Sequence, residues 1–258
     1  MGDYKRLGMK QYPRLQERET PEARYWRRFT KPVVTVHPAP VTCIDFSPVA
    51  PHDFAVTCST HVAIHDGREG KEVRSIGRFG DVACCARYRG DGKLLATGDK
   101  TGAVKAIEAQ SKTVLRTFSE HTAAVHAVGW ACDNLRMGSA SDDATVRLWD
   151  LPTAMAIGTR RGHADYVRAL APSASNAELW ASGSYDRTAR LWDVRQPGAA
   201  ALTLQHDAPV EALLFLPGGT LLLGAGGNEL RVWDLLAGGR LLHTVCNHQK
   251  TVTCLALD

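Results

Sequence analysis

Two segments of this chain carry a histidine, a serine and an aspartate in the same order: His121, Ser139 and Asp143, then His163, Ser182 and Asp186. Together these side chains are the parts of an acyl-transfer site, where a hydroxyl attacks a carbonyl, an imidazole takes its proton and a carboxylate orients the ring. Each set is followed by a tryptophan, Trp149 or Trp192, six residues beyond the aspartate. A catalytic site has no reason to occur twice at one spacing, so the recurrence argues for a structural part. The chain shows no metal-ligand spacing, no glycine-rich phosphate loop and no unrepeated acid–base pair. The expectation is a protein with no catalytic residues, no metal, no cofactor and no small-molecule substrate.

The elements that would position these residues repeat as well. Alternating apolar stretches end at His65-Asp66, Ile107-Glu108, Trp149-Asp150, Trp192-Asp193 and Trp233-Asp234, at intervals of 42, 42, 43 and 41 residues. A second series keeps the same phase. His37, His121, His163, His206 and His248 each stand four residues before a valine, and the empty slot between the first two falls on Phe79. Within one period, Leu179–Ser184 and Thr188–Trp192 alternate as two strands joined by a tight turn at Tyr185-Asp186-Arg187. Self-similarity at roughly 40–45 residues belongs to a propeller of four-stranded blades.

A histidine early and Trp-Asp late in each period resembles the WD-repeat family. That resemblance implies an all-β propeller and a role for the two recurring sets. In the family, the loop His, second-strand Ser, turn Asp and third-strand Trp form one buried hydrogen-bonded tetrad. Carried onto this chain, these are His121, Ser139, Asp143 and Trp149, then His163, Ser182, Asp186 and Trp192. The fifth repeat has Leu223 and Gly227 in the Ser and Asp slots, which forbids a tetrad. The second has Phe79 for His and Ile107-Glu108 for Trp-Asp, so apolar packing and neighbours alone are expected to hold it.

Five blades are expected at Val41–Ile76, Val82–Phe118, Val125–Thr159, Tyr166–Leu204 and Val210–Val245. Pro32–His37 reads as the strand that closes a WD propeller, and Thr251–Leu257 as the first strand of a sixth blade. The inventory predicts that residues 32–258 are part of a seven-bladed propeller whose last blades, and the helical domain carried by relatives, lie beyond this chain.

Charge is uneven. Net charge is +4, but residues 1–31 hold nine Lys/Arg against four acids, +5, which leaves −1 for the rest. Residues 1–31 therefore read as a basic N-terminal arm suited to a phosphate backbone. Seven cysteines without a Cys-x-x-Cys spacing, and no apolar signal core, predict a reduced, intracellular protein. The apolar stretch around Val210–Ala225 is broken by Pro217-Gly218-Gly219, so no membrane contact is expected.

Residues that no WD repeat requires narrow the resemblance. Tyr4-Lys5, Gln11-Tyr12-Pro13, Tyr25-Trp26, Lys31-Pro32-Val33 and Ile44-Asp45-Phe46-Ser47-Pro48 resemble one group of WD-repeat proteins, the scaffolds of the small-subunit processome. The resemblance implies a nucleolar, non-catalytic scaffold for early processing toward 18S ribosomal RNA, linked to ribosomal-DNA transcription. Implied partners are the other propeller subunits of the UtpA complex and, directly or indirectly, the 5′ external transcribed spacer of the precursor. Arg160, Arg161, Tyr166, Arg168, Tyr185 and Arg187 cluster near the blade-four loops and are the candidate contacts. A competing reading uses Trp192-Asp193-Val194-Arg195, which matches a box that docks some WD proteins onto cullin-RING ubiquitin ligases.

Overall fold

The computed structural model describes residues 34–77, 79–196 and 198–257, so the arm expected at 1–31 lies outside the described residues. Five antiparallel sheets follow one another along the chain, each of four strands in sequence order. Blade one comprises Val41–Phe46, Phe54–Cys58, His61–His65 and Glu72–Ile76. Blade two comprises Ala83–Tyr88, Leu94–Asp99, Val104–Glu108 and Val114–Phe118. Blade three comprises Val125–Trp130, Arg136–Ser141, Thr145–Asp150 and Met155–Arg161. Blade four has Val167–Pro172, Leu179–Ser184, Thr188–Asp193 and Leu202–Gln205. Blade five has Val210–Phe215, Leu221–Gly226, Glu229–Asp234 and Arg240–Val245.

A four-stranded sheet has two faces to bury, and consecutive blades bury them on each other. One core joins Ile64 and Ile76 of blade one to Ala86, Leu95 and Ile107 of blade two. Further cores join Leu94 and Phe118 to Val128 and Trp149, Leu148 to Trp180 and Trp192, and Leu191 to Phe215 and Trp233. Close approach of the sheets depends on small residues. A Cβ on Gly98 would meet Val125 at 2.6 Å, and one on Gly183 would meet Val210 at 2.5 Å.

Each first strand slips register at its second residue, so that Thr42, Cys84, His126, Arg168 and Glu211 stand outside the ladder. Such bulges bend a strand and re-aim the extra side chain. Here all five line one cavity of about 570 Å³ at the mouth of the central channel.

The two terminal faces lack a neighbour among the described residues. Val41, Ile44 and Phe46 are exposed, whereas their counterparts Val125, Val128 and Trp130 are buried, and the outer strand of blade five is exposed throughout. Residues 251–257 were expected to be a strand. They form none, pairing with no strand among the described residues, yet Val252 N–H donates to the Gly227 carbonyl at 2.8 Å and Thr253–Leu255 line the channel beside Val41–Ile44. The expected strand Pro32–His37 falls partly outside the described residues, and its described part, 34–37, is not a strand.

Blade two departs from expectation. Its second turn is built on Asp99, 1% exposed, whose carboxylate accepts from Thr101 N (3.0 Å), Thr101 Oγ1 (2.5 Å) and Ala103 N (3.0 Å). A buried polar cap, besides apolar packing, holds this blade.

Candidate functional site

In blade three, His121 Nδ1–H donates to Asp143 Oδ2 at 2.7 Å, and Ser139 Oγ lies 2.8 Å from His121 Nε2. Trp149 Nε1–H donates to the same Ser139 oxygen at 2.8 Å. The serine thus accepts from the indole and gives its own proton to the imidazole, so both ring nitrogens, the hydroxyl and the indole N–H of this tetrad are satisfied. Blade four repeats the geometry. His163 meets Asp186 at 2.9 Å and Ser182 at 2.7 Å, and Trp192 donates to Ser182 at 2.7 Å. Ser139 and Ser182 have no exposed surface, so neither oxygen can meet a substrate carbonyl. The triad-like sets tie each loop, turn and strand of a blade together.

A fifth member was not among the expected residues. Thr145 Oγ1 donates to Asp143 Oδ1, and Thr188 Oγ1 to Asp186 Oδ1, both at 2.6 Å. The signal was present as a repeated Asp-x-Thr, whose middle residue, Ala144 or Arg187, takes a positive φ of 61° or 65° in the turn. Burial alone would raise Asp186, but Thr188, the Ala164 amide and His163 together hold it down to about 2. Burial likewise opposes ionisation of Asp143, yet His121 and Thr145 hold it well below the usual carboxylate range. Burial lowers His163 against the pull of Asp186, which leaves a neutral ring whose proton sits on Nδ1.

Blade five keeps only fragments. His206 lies 6.0 Å from the Trp233 ring, its Nδ1 accepts from Ala208 N at 3.2 Å, and its buried Nε2 has no partner.

The candidate contact cluster divides into three. Tyr166, Arg168 and Tyr185 meet at the channel mouth: Arg168 lies 5.6 Å and 5.1 Å from the two ring centres. It also donates twice to Asp142 at 3.1 Å, where His126 is the second partner, while Tyr185 OH donates to Glu211 at 2.9 Å. Arg161 and Arg187 are exposed. Arg160 requires a correction. It is 5% exposed, and its Nη2 donates to the Asp193 and Val194 carbonyls at 3.3 and 2.9 Å, so it staples blade three to blade four and is closed to a partner. Arg160→Met should lower stability by about 1–3 kcal/mol by leaving the Val194 carbonyl unpaired, while the Asp193 carbonyl keeps the Gln196 N–H. The check is a drop in thermal midpoint, with partner binding per folded molecule unchanged.

Four-stranded blades stacked face to face, pinned by His-Ser-Trp-Asp tetrads, define a WD-repeat propeller. The WD domain, G-beta repeat model matches residues 112–150, 155–193 and 200–234. Over 258 residues, all of this chain, it is 42% identical to the U3 small nucleolar RNA-associated protein 15 homolog of Xenopus laevis, covering 50% of that protein. It is 39% identical over 247 residues to U3 small nucleolar RNA-associated protein 15 of Saccharomyces cerevisiae, covering 94% of this chain and 48% of the yeast protein. Protein SLOW WALKER 1 of Arabidopsis thaliana is 36% identical over 243 residues, 93% of this chain and 46% of the plant protein. The chain spans about half the length of these relatives.

The ligase-docking reading finds no support among them. Arg195, its key residue, is folded back on Asp193, with Nη2 2.6 Å and Nε 3.0 Å from the carboxylate oxygens.

Proposed function

We propose that this chain is the propeller portion of a non-catalytic scaffold that works with U3 small nucleolar RNA in the nucleolus, in early processing of the ribosomal precursor. The observation that carries the reading is the extent of the similarity, which runs through residues 1–258 and so includes the arm and loops that no WD repeat dictates. On this reading the basic arm, residues 1–31, approaches RNA phosphates, and residues 32–258 are the propeller platform. Other propeller subunits of the UtpA complex are the protein partners, and the 5′ external transcribed spacer is the RNA.

Crosslinking of the protein to RNA in cells tests this directly. Reads concentrated on U3 small nucleolar RNA or the 5′ spacer are expected; reads without either, in a protein absent from nucleolar particles, would sink the proposal. Within the cluster, Arg161, Tyr166 and Arg187 are exposed, and shortening Tyr166 removes only its ring contacts at the channel mouth, leaving the Arg168–Asp142 and Tyr185–Glu211 hydrogen bonds in place. Tyr166→Ala with Arg187→Ala should cut recovery of precursor RNA or partner subunits severalfold at an unchanged thermal midpoint. Full recovery would remove these residues from the contact surface.

A further inference from the structure

Blades two to five each carry a basic residue two positions before the Ile or Trp of the third strand: Lys105, Arg147, Arg190 and Arg231. All four are half-buried, so each charge calls for a compensating group. Arg147 pairs with Glu120, and Arg231 with Asp207 and Glu229. Lys105 lies 4.8 Å from the centre of the Phe79 ring. Arg190 makes no hydrogen bond or ion pair with any described residue, and its Nε is shut off from solvent without a partner.

The cause is local. In blade three the neutralising Glu120 stands immediately before the tetrad histidine; in blade four that place is Gly162, with φ +154°. A Cβ on Gly162 would lie 2.6 Å from Arg190 Nη1, so the guanidinium rests against bare backbone where blade three has a carboxylate. Arg161, the residue before Gly162, is exposed and unpaired among the described residues, as is Arg187 in the turn that His163 binds through Asp186. A cleft of about 310 Å³ opens at this bend, with Thr122, Asp143, Arg147, Arg161, Gly162 and His163 in its walls; Arg190 is not in the lining but rests against Gly162 at its edge. Two acids of the blade are already engaged, Asp186 by His163 and Thr188 and Asp193 by Arg195.

We infer that the bend between blades three and four is an anion site, in which Arg190, with Arg161 at the mouth, holds a backbone phosphate of single-stranded RNA. The inference rests on the reading of the chain as a scaffold on pre-ribosomal RNA. Two uncompensated guanidinium groups at one bend, Arg190 against Gly162 and Arg161 in the cleft wall, call for an anion, and the planar fork of arginine suits phosphate oxygens. Phosphate held at Arg190 supplies the counter-charge that Gly162 removed.

The test is fluorescence anisotropy of a labelled single-stranded RNA with the 258-residue chain, titrated at several salt concentrations, beside thermal unfolding of each variant. Arg190→Gln should weaken binding about tenfold and reduce the slope of log affinity against log salt by about one, as for loss of one phosphate contact. Its thermal midpoint should not fall, since no partner is orphaned. Arg231→Gln, the blade-five equivalent outside the cleft, should do the reverse, lowering the midpoint by removing the partner of Glu229 and Asp207 and leaving RNA affinity in place. If the unaltered chain binds RNA and Arg190→Gln binds equally well, the site is overturned while the scaffold reading stands. A midpoint that falls with Arg190→Gln as far as with Arg231→Gln makes the residue structural and also overturns it. An Arg190-dependent affinity for poly-glutamate, without one for RNA, overturns the phosphate assignment. No RNA binding by the unaltered chain overturns both the site and direct RNA contact.

Discussion

Trp192→Ala should destabilise the chain by about 3–5 kcal/mol, the range for removing a large buried aromatic. Trp192 is 1% exposed, packs with Leu148 and Trp180 across two blades, and donates its indole proton to Ser182. Removing it opens a cavity between blades and deprives the tetrad of a donor. Trp192→Phe separates the two contributions. It keeps most of the ring and loses the N–H, so its cost should be nearer 1 kcal/mol, typical of one net hydrogen bond. Urea unfolding of the three proteins, followed by tryptophan emission and circular dichroism, reads the difference. Equal losses for Ala and Phe would show that the hydrogen bond, and not the packing, carries the effect.

Acid should unfold the chain through the same tetrads. Asp186 is held to about 2 and Asp143 is also lowered, so both bind protons more weakly folded than unfolded. Their contribution is therefore complete above the ordinary carboxylate range and is lost as pH falls from about 4 through the folded values. His163 acts in the same direction. Its folded pKa is lowered by burial, so below about 6.5 the unfolded chain gains protons that the folded one refuses. With allowance for solvent near the turns, each carboxylate is worth on the order of 1–2 kcal/mol. Thermal midpoints should be flat near neutrality, decline gently below pH 6.5 and drop steeply between pH 4 and pH 2. Asp186→Asn should lower the neutral midpoint and flatten the steep limb. A variant with the full acid limb would place the acid sensitivity elsewhere.

The period was legible because each blade must satisfy the same constraints, and a tetrad needs its four residue types at set offsets. His121, Ser139, Asp143 and Trp149 could be named because the resemblance to WD repeats supplies those offsets. Asp99 could not, since it stands eight residues before Ile107 and a search at the tetrad's offset of six passes over it. Arg160 was misplaced for a different reason. Adjacent arginines on an outer strand look alike in sequence, but strand alternation sends Arg160 between two blades and Arg161 to solvent. Arg190 was invisible because its character comes from a missing partner, and only the fold shows which residue, Gly162, should have supplied it.

The slipped second residue of each inner strand bears on how the molecule is read from outside. Five near-copies around an axis would offer a visitor several rotational settings of nearly equal energy. At the slipped position, however, the blades present Thr42, Cys84, His126, Arg168 and Glu211, a neutral hydroxyl, a thiol, an imidazole, a cation and an acid. No two adjacent blades show the same chemistry there. The channel mouth is in that sense indexed: a guest that reads two neighbouring blades learns its orientation on the whole.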